Sequence, residues 1–193
     1  MANFGIATLA ANGPMIFALL RRKQPREAVE GLYRRIVAAS RSQTLYTRYG
    51  VPDSGEGRFE ALSLHVILVL RRLKALPAPA QEVAQDLVDL TFRELDRSLR
   101  EMGVGDISVS KRVKSLAQAF YGRVAGYADA LDAGDREALA AALAKSSVLG
   151  RSAAPLAAYA LAGERLLAGL ALEDILGKAH LFPDPACVEG TAP

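Results

Sequence analysis

The chain has 193 residues, a formal net charge of +3 and 51% hydrophobic residues, with one cysteine and two histidines. That length is enough for a single domain with its own core. One cysteine, Cys187, excludes an internal disulfide framework and a cysteine metal cluster. His65 and His180 stand far apart and without the Glu/His spacing of a zinc helix, so no metal or other cofactor is expected. Alanine and leucine dominate, β-branched residues are few and strand-like alternation is absent. The expectation is all-α: an irregular single-domain bundle of about six to seven helices, around a buried central helix over 55–76 and a helical hairpin over 79–130.

Residues 1–20 are mildly apolar and interrupted by Gly5, Gly13 and Pro14. No cation precedes the apolar stretch, so it does not read as a signal peptide, and it is too broken to span a bilayer. Met15 is as reasonable a start as Met1. Ile16, Phe17, Leu19 and Leu20, followed by Arg21, Arg22 and Lys23, fit either contact with an anionic membrane surface or a frayed terminus. Residues 1–23 are therefore set apart as an extension, 24–182 as the helical domain and 183–193 as a loose tail. Residues 21–48 hold eight basic residues against two acidic ones. A basic arm on a near-neutral body points to a membrane surface, an acidic protein or RNA.

Pro25 suits the first position of a helix, with Val29, Leu32, Tyr33, Ile36 and Val37 as its apolar stripe. A short helical piece over 44–49 ends at the breaker Gly50-Val-Pro-Asp-Ser-Gly. The central helix follows. Phe59, Leu62, Val66, Val69, Leu70, Leu73 and Leu76 form its main stripe, and Leu64, Ile67 and Leu68 make its middle apolar nearly all round, as burial among several helices requires. His65 is expected as a hydrogen-bonded residue at the core edge. Pro77-Ala-Pro-Ala makes a stiff connector.

The next helix, from Pro79 to Met102, has a seam of Val83, Leu87, Leu90, Leu95, Leu99 and Met102. Gly103 falls where a left-handed residue ends a helix; Leu99 and Val104 are then the paired apolar positions of a Schellman turn. Gly105 gives a second permissive point, and Asp106 or Ser108 is expected to cap the following helix. That helix carries a stripe of Val109, Val113, Leu116, Phe120, Val124, Tyr127 and Leu131. Lys111, Arg112 and Lys114 lie in its first two turns, where the helix dipole disfavours cations by about 0.3–1 kcal/mol each. Arg97 and Arg100 approach the same turn from the other side. Such a cluster fits an anionic partner, or equally a solvated face. Asp132 or Asp135 caps a helix to Lys145, and Ser152 and Pro155 open the last long one.

Recognisable catalytic chemistry is absent. Gly103-Val-Gly-Asp lacks the preceding strand and the lysine of a phosphate cradle. No carboxylate forms a Glu-x-x-His pair, and the basic patches have few interleaved aromatics. A binding module is the better class, and not an enzyme.

The segments LYTRYGVPDSGEGRFEALSLHVILVLRRLK (Leu45–Lys74) and FRELDRSLREMGVGDISVSKRVKSLAQAFYGR (Phe92–Arg123) resemble the ubiquinol–cytochrome c chaperone family, over roughly residues 27–185. Its members are assembly factors for the cytochrome bc1 complex. The resemblance implies an α-helical chaperone without catalytic residues that binds cytochrome b or an early bc1 intermediate. In eukaryotes it does so with a small partner protein near the mitochondrial ribosome exit. Without a long Arg- and Ser-rich transit peptide, the chain looks like a bacterial member acting at the inner face of the cytoplasmic membrane; a eukaryotic one would act on the matrix side. Motif matching carries over Gly57, Phe59, Met102, Gly103, Val104 and Gly105 as structural positions. It carries over Asp53, Arg58, Arg71, Arg72, Arg100, Asp106, Lys111, Tyr121 and Arg123 as family-characteristic. These, joined by Arg97, Arg112 and Lys114 from the cation cluster, are the expected partner-binding residues. The alternative is an RNA- or ribosome-binding module using the basic arm and the cations of 97–114, with no role for DNA.

Overall fold

The computed structural model describes residues 13–177 and 180–188, with side chains from Arg26 onward. Eight α-helices lie among them: α1 (Gly13–Ser40), α2 (Gln43–Thr47), α3 (Gly55–Ala75), α4 (Ala80–Glu101), α5 (Asp106–Ala133), α6 (Arg136–Ala144), α7 (Ala153–Ala168) and α8 (Leu172–Gly177). Two 3-10 turns, Gly150–Ser152 and Pro185–Cys187, complete the described elements, and no strand occurs among these residues.

Helix α3 is the axle, packing against α1, α4 and α7 and more lightly against α5. Leu64, Val66, Ile67, Leu68, Val69 and Leu73 are all buried, so the helix is enclosed on every side through its middle. It begins where the Ser54 hydroxyl accepts from the Gly57 amide at 3.1 Å. Gly57 is fixed by space: a Cβ there would lie 2.0 Å from the Pro52 carbonyl oxygen. The breaker loop therefore folds tightly back over the first turn of α3, which only glycine allows.

Helices α4 and α5 form the expected antiparallel hairpin, and the expected Schellman turn joins them. Gly103 has φ +78°. Its amide donates to Arg100 O at 2.9 Å, and the Val104 amide donates to Leu99 O at 3.2 Å. Helix α5 ends in the same pattern, with the Gly134 amide on Leu131 O and the Asp135 amide on Ala130 O. Asp135 then caps α6, accepting from the Ala138 amide at 2.9 Å.

Five expectations need correction. Helix α1 begins at Gly13 and runs through Pro25, so Pro25 is an interior residue and the boundary at 23/24 is no break in secondary structure. Strong helix formers from Met15 to Gln24 carry the helix, although proline offers no donor to the carbonyl four residues back. Met102 is 69% exposed and contributes nothing to the seam, because it caps α4 at the turn. Neither Asp106 nor Ser108 caps α5: Gly105 holds that position with no side-chain cap, and Asp106 turns to Arg100. His65 is not at the core edge but wholly buried. The tail expected to be loose from residue 183 returns to the core at Pro185, whose carbonyl accepts from the Tyr49 hydroxyl at 2.7 Å.

Residues 1–12 of the expected extension 1–23, and the apolar and basic side chains of 16–23, lie outside what is described. No described helix is long and apolar enough to cross a membrane.

Candidate interaction surface

The charged residues singled out from sequence divide by what holds them. Arg123 is committed inward. Its Nε donates to Glu60 Oε2 at 2.6 Å, its terminal nitrogen reaches Glu60 Oε1, and its guanidinium stacks 5.4 Å from the Phe59 ring centre. Glu60 is 4% exposed and takes a third hydrogen bond, from the Ser146 hydroxyl at 2.7 Å. The pair ties α3 to α5 and to the end of α6. Glu60 was missed from sequence, although a carboxylate one residue after Phe59 in an apolar helix was a usable signal.

Arg71 bridges α5 and α7, bonding Asp132 at 2.6 Å and Glu164 at 3.0 Å. Arg72 donates to Leu170 O at 2.9 Å, closing the C-terminal end of α7. With Lys74 these residues line a depression of about 490 Å3 beside Leu167 and Ala168. Its walls mix both signs of charge rather than forming an apolar pocket. Among the described residues no group of three His, Cys, Asp or Glu side chains is placed to hold a metal ion.

Asp53 and Arg58 pair with each other at 2.6 Å beside the Ser54 cap, and that hydrogen bond holds the Asp53 carboxyl below the usual carboxylate range. On the hairpin, Arg97 pairs with Glu94 at 2.5 Å and with Glu101 at 3.6 Å. Arg100 pairs with Asp96 at 2.7 Å and with Asp106 across the turn. Two of the five cations expected to form a cluster are therefore neutralised within the hairpin.

The other three are not. Lys111, Arg112 and Lys114 are exposed on α5 and have no ion-pair partner among the described residues. Tyr121 is 56% exposed, its ring stacked 6.4 Å from Phe92 of α4. Ile107 is 78% exposed and escaped notice because it lies off the Val109–Phe120 stripe. With Met102, three of the four large exposed hydrophobic side chains among the described residues belong to this hairpin. The structure thus gathers Lys111, Arg112, Lys114 and Tyr121 on one element and disperses Asp53, Arg58, Arg71, Arg72 and Arg123 into internal contacts. Of the structural positions, Gly57, Phe59 and Gly103 sit in packing or turn roles, while Val104 and Gly105 complete the turn.

The family described as ubiquinol-cytochrome C chaperone matches residues 47–182, which span α3, the hairpin and α7. Among solved structures, the chain is similar to the crystal structure of the Cbp3 homolog from Brucella abortus. The two share 39% sequence identity and a TM-score of 0.76, over 90% of this chain and 99% of that one. No curated protein sequence matches the chain.

Proposed function

The chain belongs to the ubiquinol–cytochrome c chaperone family, and on that premise we propose that it is a non-catalytic assembly chaperone of the cytochrome bc1 complex. It holds cytochrome b, or an early assembly intermediate, at the inner face of the bacterial cytoplasmic membrane. The basic residues 21–48 give it a peripheral attraction to anionic lipid, worth about 1 kcal/mol per cation near the surface. A small partner protein or the ribosome is compatible with the same surface.

The observation that carries the client-binding part is the state of the hairpin cations. Arg97 and Arg100 each have two carboxylate partners within the hairpin. Lys111, Arg112 and Lys114 have none among the described residues, and no carboxylate lies three or four residues from any of them along α5. We assign the client contact to these three residues and Tyr121. The residues held by internal ion pairs act indirectly, by fixing the shape of the surface.

Affinity capture of the chain from detergent-solubilised membranes tests this. Cytochrome b is expected to be enriched, and the Lys111→Glu, Arg112→Glu, Lys114→Glu variant is expected to lose that enrichment while keeping its helicity. Recovery of unrelated proteins alone, or equal capture by the variant, contradicts the proposal.

A further inference from the structure

Ile107, Lys111, Lys114, Gln118, Tyr121 and Ala125 follow one another at alternating steps of four and three. On an α-helix this places them in a single row. All six are exposed, and the row lies opposite the buried stripe of Val109, Phe120 and Tyr127. From Ile107 to Tyr121 it extends roughly 21 Å, the length of four helical turns. It is apolar at both ends and cationic between them. Beside its lower end, at Gly122, a Cβ would meet nothing within 4 Å, so another backbone can come close there.

We propose that this outer face of α5 docks one helix of the client polypeptide, a segment apolar at its ends with two carboxylates three or four residues apart between them. The inference rests on the chaperone reading above and specifies the segment that reading leaves open.

The order of the row decides the occupant. A helix lying on a bilayer keeps its cations at the edges of its apolar face. Here Lys111 and Lys114 stand inside the row, so sinking Ile107 and Tyr121 into acyl chains would carry two ammonium groups with them. RNA is disfavoured by the exposed carboxylate of Asp129, four residues beyond Ala125 on the same side of the helix. A helical polypeptide suits all three features. Ile107 and Tyr121 match its apolar residues, the lysines match its carboxylates, and the open side at Gly122 admits its backbone.

The test uses the full chain and fluorescein-labelled overlapping twenty-residue peptides covering cytochrome b, read by anisotropy. The expected binders carry the apolar–acidic–apolar pattern. The Lys111→Glu, Lys114→Glu variant should weaken them by about tenfold or more, and Ile107→Ser should weaken them too. Lys145→Glu, at the exposed cap that follows α6, should not. A binding peptide that reverses its two carboxylates to lysine should regain affinity for the double variant alone. Equal binding by wild type and double variant overturns the inference, as does photocrosslinking from Gln118 that reaches only lipid, RNA or a second copy of the chain. The two readings separate in cells. If loss of the chain lowers bc1 content and the double variant restores it fully, the α5 site is wrong and the chaperone reading stands. If loss of the chain leaves bc1 content unchanged, the chaperone reading itself fails.

Discussion

His65 is the residue whose chemistry is most constrained by its surroundings. Its Nδ1 lies 2.7 Å from Ala61 O and its Nε2 2.9 Å from the Tyr159 hydroxyl. A carbonyl can only accept, so Nδ1 carries the proton and Nε2 accepts from Tyr159. Burial pushes the Tyr159 hydroxyl above the ordinary tyrosine range and keeps it a donor. Phe182 closes the site edge-on, 4.6 Å away. Burial lowers the His65 pKa from 6.5 to about 4. The unfolded chain therefore binds this proton at a higher pH than the folded one. Stability from neutral His65 is complete above pH ~6.5 and declines as pH falls towards ~4, by about 3 kcal/mol in all. Urea midpoints from pH 7 to 4.5 should fall more steeply for the wild type than for His65→Gln; parallel slopes would remove His65 as the cause. The Glu60–Arg123 pair makes a second prediction. Arg123→Met leaves a buried carboxylate uncompensated and should cost about 3–5 kcal/mol at pH 7. A loss below about 1 kcal/mol in urea unfolding would mean that the Ser146 hydroxyl and solvent suffice for Glu60.

At the scale of single elements, the strongest prediction concerns the entry to α3. Gly57→Ala sets a Cβ against the Pro52 carbonyl, so either the loop lifts or the first turn unwinds, at a cost of about 3 kcal/mol. Thermal unfolding reads this directly, and a Tm equal to wild type would show that the loop yields freely. The same elements show what a sequence discloses. The bounds of α3 and α4 were legible to within one or two residues, because the Gly50-Val-Pro-Asp-Ser-Gly breaker and Gly103 are local signals whose geometry closes within a few residues. The start of α1 was not, because an interior proline costs a helix about 3 kcal/mol and so reads as a first-turn residue, whereas α1 runs through Pro25 on the strong formers that precede it. The ion pairs were illegible for a different reason. Arg123 and Glu60 are 63 residues apart, and Arg71 and Glu164 are 93 apart, so only the folded chain brings them together. A motif can mark such arginines as characteristic without saying whether they face inward or outward. Exposed Ile107 was hidden because helical periodicity identifies the buried face and leaves an apolar residue off that face looking incidental.

For the molecule as a whole, an enclosed central helix supports a hairpin whose outer face makes no use of its own charge. The family match begins at residue 47, while the structural similarity covers 90% of the chain. The matched residues 47–182 take in α3 through α8. The proposed client surface lies within them, on an element that α3 braces through Glu60 and Arg123. Weakening that brace should therefore disturb client capture as well as stability, whereas reversing Lys111, Arg112 and Lys114 should disturb capture alone. The most direct measurement is the content of assembled cytochrome bc1 complex in membranes of cells lacking this chain, compared with the same cells re-supplied with it. The account predicts a marked loss that the wild-type chain restores. Normal bc1 content in its absence would contradict the account.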